Sequence, residues 1–273
     1  MKRQLVTPLV LLMATLAPPA PSQGREEFRA GPCAAPPPQA AAAGFTRLDF
    51  QLDPRRDIDI GWNNRPGHDW YPGMWWEPRW PSSNQIVQDR ANGVLRITDA
   101  YLATIIHRDP SLGGRAWNGG YFEIDGLGHN LSSFWLMSLL HARRGRQIAS
   151  DPLTYTSELD IYEGDEGTPN TLTSTLHRDT SHDAGVPDSQ NLNNNKDVSP
   201  IRIAGVRHKI GGLWLPDRVD IYLDGNNVNS FPTVDSTNQP MFLIIGNSAG
   251  GVNRGPTVDP QEYQVYSVCV WQK

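Results

Sequence analysis

Residues 157–164 read Ser157-Glu158-Leu159-Asp160-Ile161-Tyr162-Glu163-Gly164, three carboxylates within six residues set among strand-forming side chains. Successive side chains on a strand point to opposite faces, so Glu158 and Asp160 share one face while Leu159 and Ile161 take the other. Glu163 has the wrong parity to join the first two. A β-bulge between Asp160 and Glu163 corrects this, because one extra residue returns position 163 to the face of 158 and 160.

With one residue absorbed by the bulge, Glu158 and Glu163 behave as neighbours four apart, roughly 13 Å between backbones at about 3.4 Å per residue. Two glutamates leaning inward, each taking back about 4 Å, leave about 5 Å between carboxyl groups, the separation used by retaining glycosidases; inverting enzymes keep about 6.5–9.5 Å for a water. Asp160, shorter and placed between them, is suited to hydrogen-bond a neighbour. Two other readings stay open on these residues alone. One is a solvated acidic strand; the other is a calcium site, since Asp165 and Glu166 follow at once and hard oxygen ligands suit that ion.

Working outward, strand-sized runs recur at 93–98, 121–124, 133–140, 156–162, 171–177, 218–224, 241–246 and 263–271, separated by Gly-Gly at 113 and 119, by Asp224-Gly225-Asn226-Asn227 and by a polar stretch at 189–197. Short strands at this spacing predict an all-β sandwich or jelly roll. The 25 Gly and 23 Pro among 273 residues exclude a long helical bundle. With 38% apolar residues the chain can bury one sizeable core. A formal charge of −5 supplies no field of the kind that binds nucleic acid.

At the N-terminus, Lys2 and Arg3 precede an apolar run from Leu9 to Leu16 and then small residues and prolines, the order of a secretory signal peptide over residues 1–24. That run is too short to span a bilayer, and the later apolar runs are strand-sized, so no membrane partner is expected. Residues 25–43, with Pro32, Pro36, Pro37, Pro38 and an alanine run, read as a Pro/Ala-rich linker, and 44–273 as the folded domain. Export would permit a disulfide between Cys33 and Cys269; a mobile thiol at 33 with a buried free one at 269 is the other reading.

The sequence resembles glycoside hydrolase family sixteen, in its laminarinase-like branch, whose active strand reads E-x-D-x-x-E. "ELDIYEGDEGTPNTLTSTLH" at 158–177 is similar to the family's catalytic strand, turn and following strand ending in Thr-x-His. "GGYFEIDG" at 119–126 and "FWLMS" at 134–138 are similar to two upstream strands, and "PDRVDIYLDG" at 216–225, "PMFLIIGNSAGG" at 240–251 and "EYQVYSVCVWQ" at 262–272 follow in the family's order. The resemblance implies a concanavalin-like jelly roll of two curved antiparallel sheets with the glycan in a concave cleft. It also implies a secreted, retaining endo-β-glycosidase, extracellular or periplasmic, that hydrolyses a β-1,3-type glucan or related galactan. Carried over, Glu158 is the nucleophile, Asp160 its support and Glu163 the general acid and base. No cofactor is required on this reading; the resemblance allows a structural calcium ion but names no ligands, and the protein is expected to act as a monomer on a polysaccharide.

Sugars stack their C–H faces on aromatic rings. Trp135 in the Phe-Trp-Leu strand and Trp117 before the second Gly-Gly are candidate substrate-binding residues, as is His177, which on an alternating strand shares a side with Thr171, Thr173 and Thr175. Of the tryptophans at 62, 70, 75, 76 and 80, one or two are expected to line the cleft. His107, Arg108 and the basic run Arg143, Arg144, Arg146 read as solvated loops. Asn130-Leu131-Ser132 is a glycosylation sequon. Arg178 after His177 and the absence of Trp after Gly250-Gly251 depart from the family pattern where subsites are built. The competing function is a non-catalytic carbohydrate-binding protein on the same fold. A serine hydrolase is disfavoured because Gly246-Asn247-Ser248-Ala249-Gly250, although it matches G-x-S-x-G, reads as a strand end rather than a strand-to-helix elbow.

Overall fold

A computed structural model describes residues 31–63, 65–74, 81–106, 114–129, 131–139, 156–164, 167–179, 190–193, 196–233, 239–247 and 262–273. The expected signal peptide therefore lies outside the described residues. Among them are one short helix, α1 (Pro38–Ala42), and sixteen strands: β1 (Arg47–Leu52), β2 (Tyr71–Pro72), β3 (Ile86–Asp89), β4 (Val94–Ile97), β5 (Ala100–Ala103), β6 (Gly120–Leu127), β7 (Ser132–Ser138), β8 (Thr156–Glu163), β9 (Thr171–Asp179), β10 (Gln190–Asn193), β11 (Lys196–Asp197), β12 (Arg207–Trp214), β13 (Arg218–Leu223), β14 (Asn226–Pro232), β15 (Met241–Asn247) and β16 (Tyr263–Gln272).

Two antiparallel sheets result. The first runs β14-β13-β12-β6-β16-β4-β3, with β1 also on β16; the second runs β10-β9-β8-β7-β15-β5-β2, with β11 on β9. This is the jelly-roll sandwich expected from the sequence, and every strand-sized run named above coincides with an observed strand. The inner faces interdigitate: Phe122, Ile124, Val268 and Val270 from the first sheet meet Leu136, Leu159, Leu243 and Ile245 from the second in one cluster. Each such side chain, nearly all of its surface removed from water, contributes on the order of 1.5–3 kcal/mol.

Strand β15 is buried along its whole length. Its odd-numbered residues Met241, Leu243 and Ile245 enter the core, while Phe242 and Ile244 belong to a second apolar cluster with Trp135 and Met137 on the opposite face. The second sheet is thus apolar on both sides at its centre, and its outer face is a floor rather than a solvated surface.

Part of the expected linker is not a linker. Residues 31–46 fold back onto the outer face of the first sheet, where Cys33, Ala40 and Phe45 pack with Tyr121, Leu213 and Trp271, and Cys33 is joined to Cys269 across 236 residues. The disulfide reading of the two cysteines is the one the structure shows. Gln39 Nε2 donates to the Tyr121 hydroxyl (2.6 Å), which donates to Glu123 Oε2 (3.0 Å). Burial pushes the Glu123 carboxyl above its ordinary range, against the opposing pull of Lys209 Nζ at 4.0 Å. Composition concealed this segment because a covalent tie and small alanines, not a period of large apolar residues, hold it down.

Candidate active site

The bulge expected in β8 is present. Against β9, Asp160 lies opposite Thr175 and Glu163 opposite Thr173, three steps on one strand for two on the other. Against β7, Trp135 faces Asp160 and Phe134 faces Tyr162, which makes Ile161 the extra residue. Leu159, Ile161 and Tyr162 consequently all enter the inter-sheet core, two of them consecutively. Glu158, Asp160 and Glu163 take the outer face.

The opposite sheet is built to receive this distortion. A Cβ on Gly212 of β12 would come within 2.8 Å of the Ile161 side chain, so only glycine leaves room for the bulged isoleucine. At the exit of the bulge, a Cβ on Gly128 would approach the Tyr162 hydroxyl to 2.6 Å and one on Gly164 to 2.9 Å. Tyr162 is therefore wedged where the chain turns out of β8, immediately after which Glu163 emerges exposed.

Burial grades the three acids. Asp160 is only 3% exposed, the Glu158 side chain is about a quarter exposed, and Glu163 is open to solvent. His177 lies opposite Glu158 on β9, on one face with Thr173 and Thr175. Its Nε2 is 2.9 Å from Asp160 Oδ2 and 3.9 Å from Glu158 Oε1. With Nε2 protonated, the imidazole donates to Asp160 and sets that carboxylate beside Glu158. The donor atoms of Glu158, Asp160 and His177 all lie within 4.8 Å of one another, the one grouping among the described residues able to hold a metal ion. An imidazole in such a set does not suit calcium, which takes oxygen ligands. Asp165 and Glu166, the further ligands that reading invoked, lie outside the described residues.

Trp135 sits beside the acids. It is opposite Asp160, 7% exposed, and packed on the outer face with Met137, Phe242 and Ile244. Trp117 does not reach the site. It belongs to the inter-sheet core, its ring against Phe50 and Phe122, and its indole N–H donates to Asp49 Oδ2 at 2.9 Å. The family resemblance made Trp117 a substrate-facing candidate, whereas the structure buries it to 6% exposure between the sheets. Trp70 is likewise core, whereas Trp62 is 42% exposed. Trp75, Trp76, Trp80, His107, Arg108, Asn130, Arg143, Arg144 and Arg146 lie outside the described residues. Tyr101 and Ser133 also share the acids' face; the glycine that ends the apolar run of β15 was the available signal.

No protein-family model matches the sequence, and no curated protein does. Solved structures do. A laminarinase from Flavobacterium sp. UMI-01 is 18% identical with a TM-score of 0.55, over 83% of this chain and 100% of that one. Porphyranase B from Zobellia galactanivorans is 17% identical with a TM-score of 0.57, over 81% and 90%. A non-specific endo-β-1,3(4)-glucanase of family sixteen is 17% identical with a TM-score of 0.56, over 83% and 94%. The chain has the glycoside hydrolase family sixteen fold. At such identities the likeness carries the architecture alone, so the chemistry of this sandwich rests on its own side chains. Among the described residues no helix is long and apolar enough to cross a membrane.

Proposed function

We propose that the protein is a secreted, retaining endo-β-glycanase acting on a β-1,3-type glucan or a related galactan. The single observation that supports this best is the bulge at Ile161, which brings Glu158, Asp160 and Glu163 to one face of the second sheet. On β9 their partners His177 and Thr173 are four residues apart, roughly 13 Å of backbone at about 3.4 Å per residue, which two inward-leaning glutamates reduce to the spacing of a double-displacement pair.

In the first step the Glu158 carboxylate attacks the anomeric carbon as the glycosidic C–O bond breaks, and Glu163 gives its proton to the departing oxygen. In the second, Glu163, now a carboxylate, takes a proton from water as that water displaces Glu158, releasing a sugar with its original anomeric configuration. Asp160, buried and held by His177, keeps Glu158 oriented and supplies negative charge beside it. Trp135 offers an aromatic edge to the sugar at the scissile bond. The buried disulfide fits an oxidising compartment and therefore export by the N-terminal segment.

The reading is tested by digesting laminarin, mixed-linkage glucan, agar, carrageenan and xyloglucan and resolving the products by size. Endo-hydrolysis predicts internal cuts and a ladder of oligosaccharides from at least one of them. Binding without cleavage of any polymer would favour a carbohydrate-binding protein on the same fold.

A further inference from the structure

The register of the second sheet places a second aromatic ring in line with Glu163. Glu163 lies opposite Ser133 on β7, Ser133 opposite Gly246 on β15, and Gly246 opposite Tyr101 on β5. Residues directly opposite on antiparallel strands share a face, so the four form one row across the floor. Tyr101 does not stand upright in this row. A Cβ on Gly246 would collide with its Cδ1 and lie 2.9 Å from its Cε1, so the ring is laid over the glycine. Gly246 directly follows the large apolar run Met241–Ile245, at the position the ring covers.

Tyr101 also meets Trp135 edge to face, with ring centroids 6.4 Å apart and planes at 76°. Trp135 belongs to the adjacent row, that of Asp160. The two rings thus form a corner, one plane along the floor and the other rising from it. Beside them, Ser133 is half-buried with its hydroxyl 3.4 Å from the Gly246 carbonyl oxygen, which leaves a weakly held polar group next to the flat ring. Gly246 is two strand spacings from β8, about 10 Å at about 4.8 Å per strand. That distance takes the ring beyond the sugar being cleaved.

We propose that Tyr101, seated on Gly246, is a stacking platform for a pyranose next along the glycan from the scissile bond, with Ser133 in hydrogen-bond reach of a ring hydroxyl. The idea rests on the glycanase reading above and names a substrate-positioning residue within it. Nothing in the E-x-D-x-x-E strand specifies such a platform. It arises from a Tyr-Gly pair on two other strands, and it selects chains that present a flat C–H face at that position.

The test measures oligosaccharide binding by calorimetry to Glu158→Gln, using products of whichever polymer the wild type cleaves. Adding Tyr101→Ala is expected to weaken binding about tenfold, and Tyr101→Phe to leave it within about twofold. Tyr101→Leu, which keeps apolar contact with Trp135 but presents no plane, should resemble Tyr101→Ala and guards against a folding artefact. In the active background Tyr101→Leu should act mainly by raising KM. Equal affinity of Tyr101→Leu and its parent would overturn the inference while leaving the glycanase reading intact. Failure of the wild type to cleave, or of Glu158→Gln to bind, any of the polymers would remove both.

Discussion

Glu158→Gln is expected to reduce hydrolysis about a thousandfold or more, because the amide cannot form the glycosyl ester on which double displacement depends. The substitution is nearly isosteric, and Glu158 is not one of the buried core residues, so the fold and its melting temperature should be retained. Glu158→Gly gives the sharper result. Removing the side chain leaves room for a small anion, so azide should restore turnover and yield the glycosyl azide with inverted configuration. Assays of both variants on the polymer cleaved by the wild type check this. Ordinary activity in Glu158→Gln would remove the nucleophile assignment. The same change at Glu163 should spare substrates whose leaving group needs no proton, which separates the two glutamates by role.

Loss of the Cys33–Cys269 bridge should be the largest single blow to stability outside the core. The bridge closes a loop spanning 236 residues, so reduction frees a large part of the unfolded chain's entropy. Removing such a disulfide typically costs about 2–5 kcal/mol, and for a domain of this size about 3 °C per kcal/mol gives a drop of roughly 5–15 °C. Cys33→Ser with Cys269→Ser, followed by thermal unfolding, measures it. Activity at room temperature should persist, because the tie lies on the outer face of the first sheet and the acids on the outer face of the second. Identical melting with and without reductant would show that residues 31–46 are held by packing alone.

What could be read in advance, and what could not, follows from the kind of signal each element carries. The bulge was legible because three acids of mixed parity have only one way to share a face, and Ile161 and Tyr162 entering the core consecutively is the same fact seen from the other side. Strand β12 was not, since Gly211-Gly212 suggests a turn. Those glycines exist because Tyr121 occupies the space of one Cβ and Ile161 that of the other. Strand β5 (Ala100–Ala103) is short and half alanine, and β14 (Asn226–Pro232) is rich in asparagine; both form because neighbouring strands pair with them, not from propensity. Trp117 was misplaced because a tryptophan near glycines looks the same whether it closes a core or lines a groove. His177 lies on the strand face that alternation gives it, yet its hydrogen bond to Asp160 depends on the register between β8 and β9, which no local pattern encodes.

The central claim is that Glu158 and Glu163 act as a double-displacement pair. Proton NMR of the first reducing sugar released, recorded before mutarotation, tests it most directly. The account predicts the β-anomer as the initial product, decaying to the equilibrium mixture. Initial appearance of the α-anomer would contradict it, since a single displacement by water would then have replaced the covalent step assigned to Glu158.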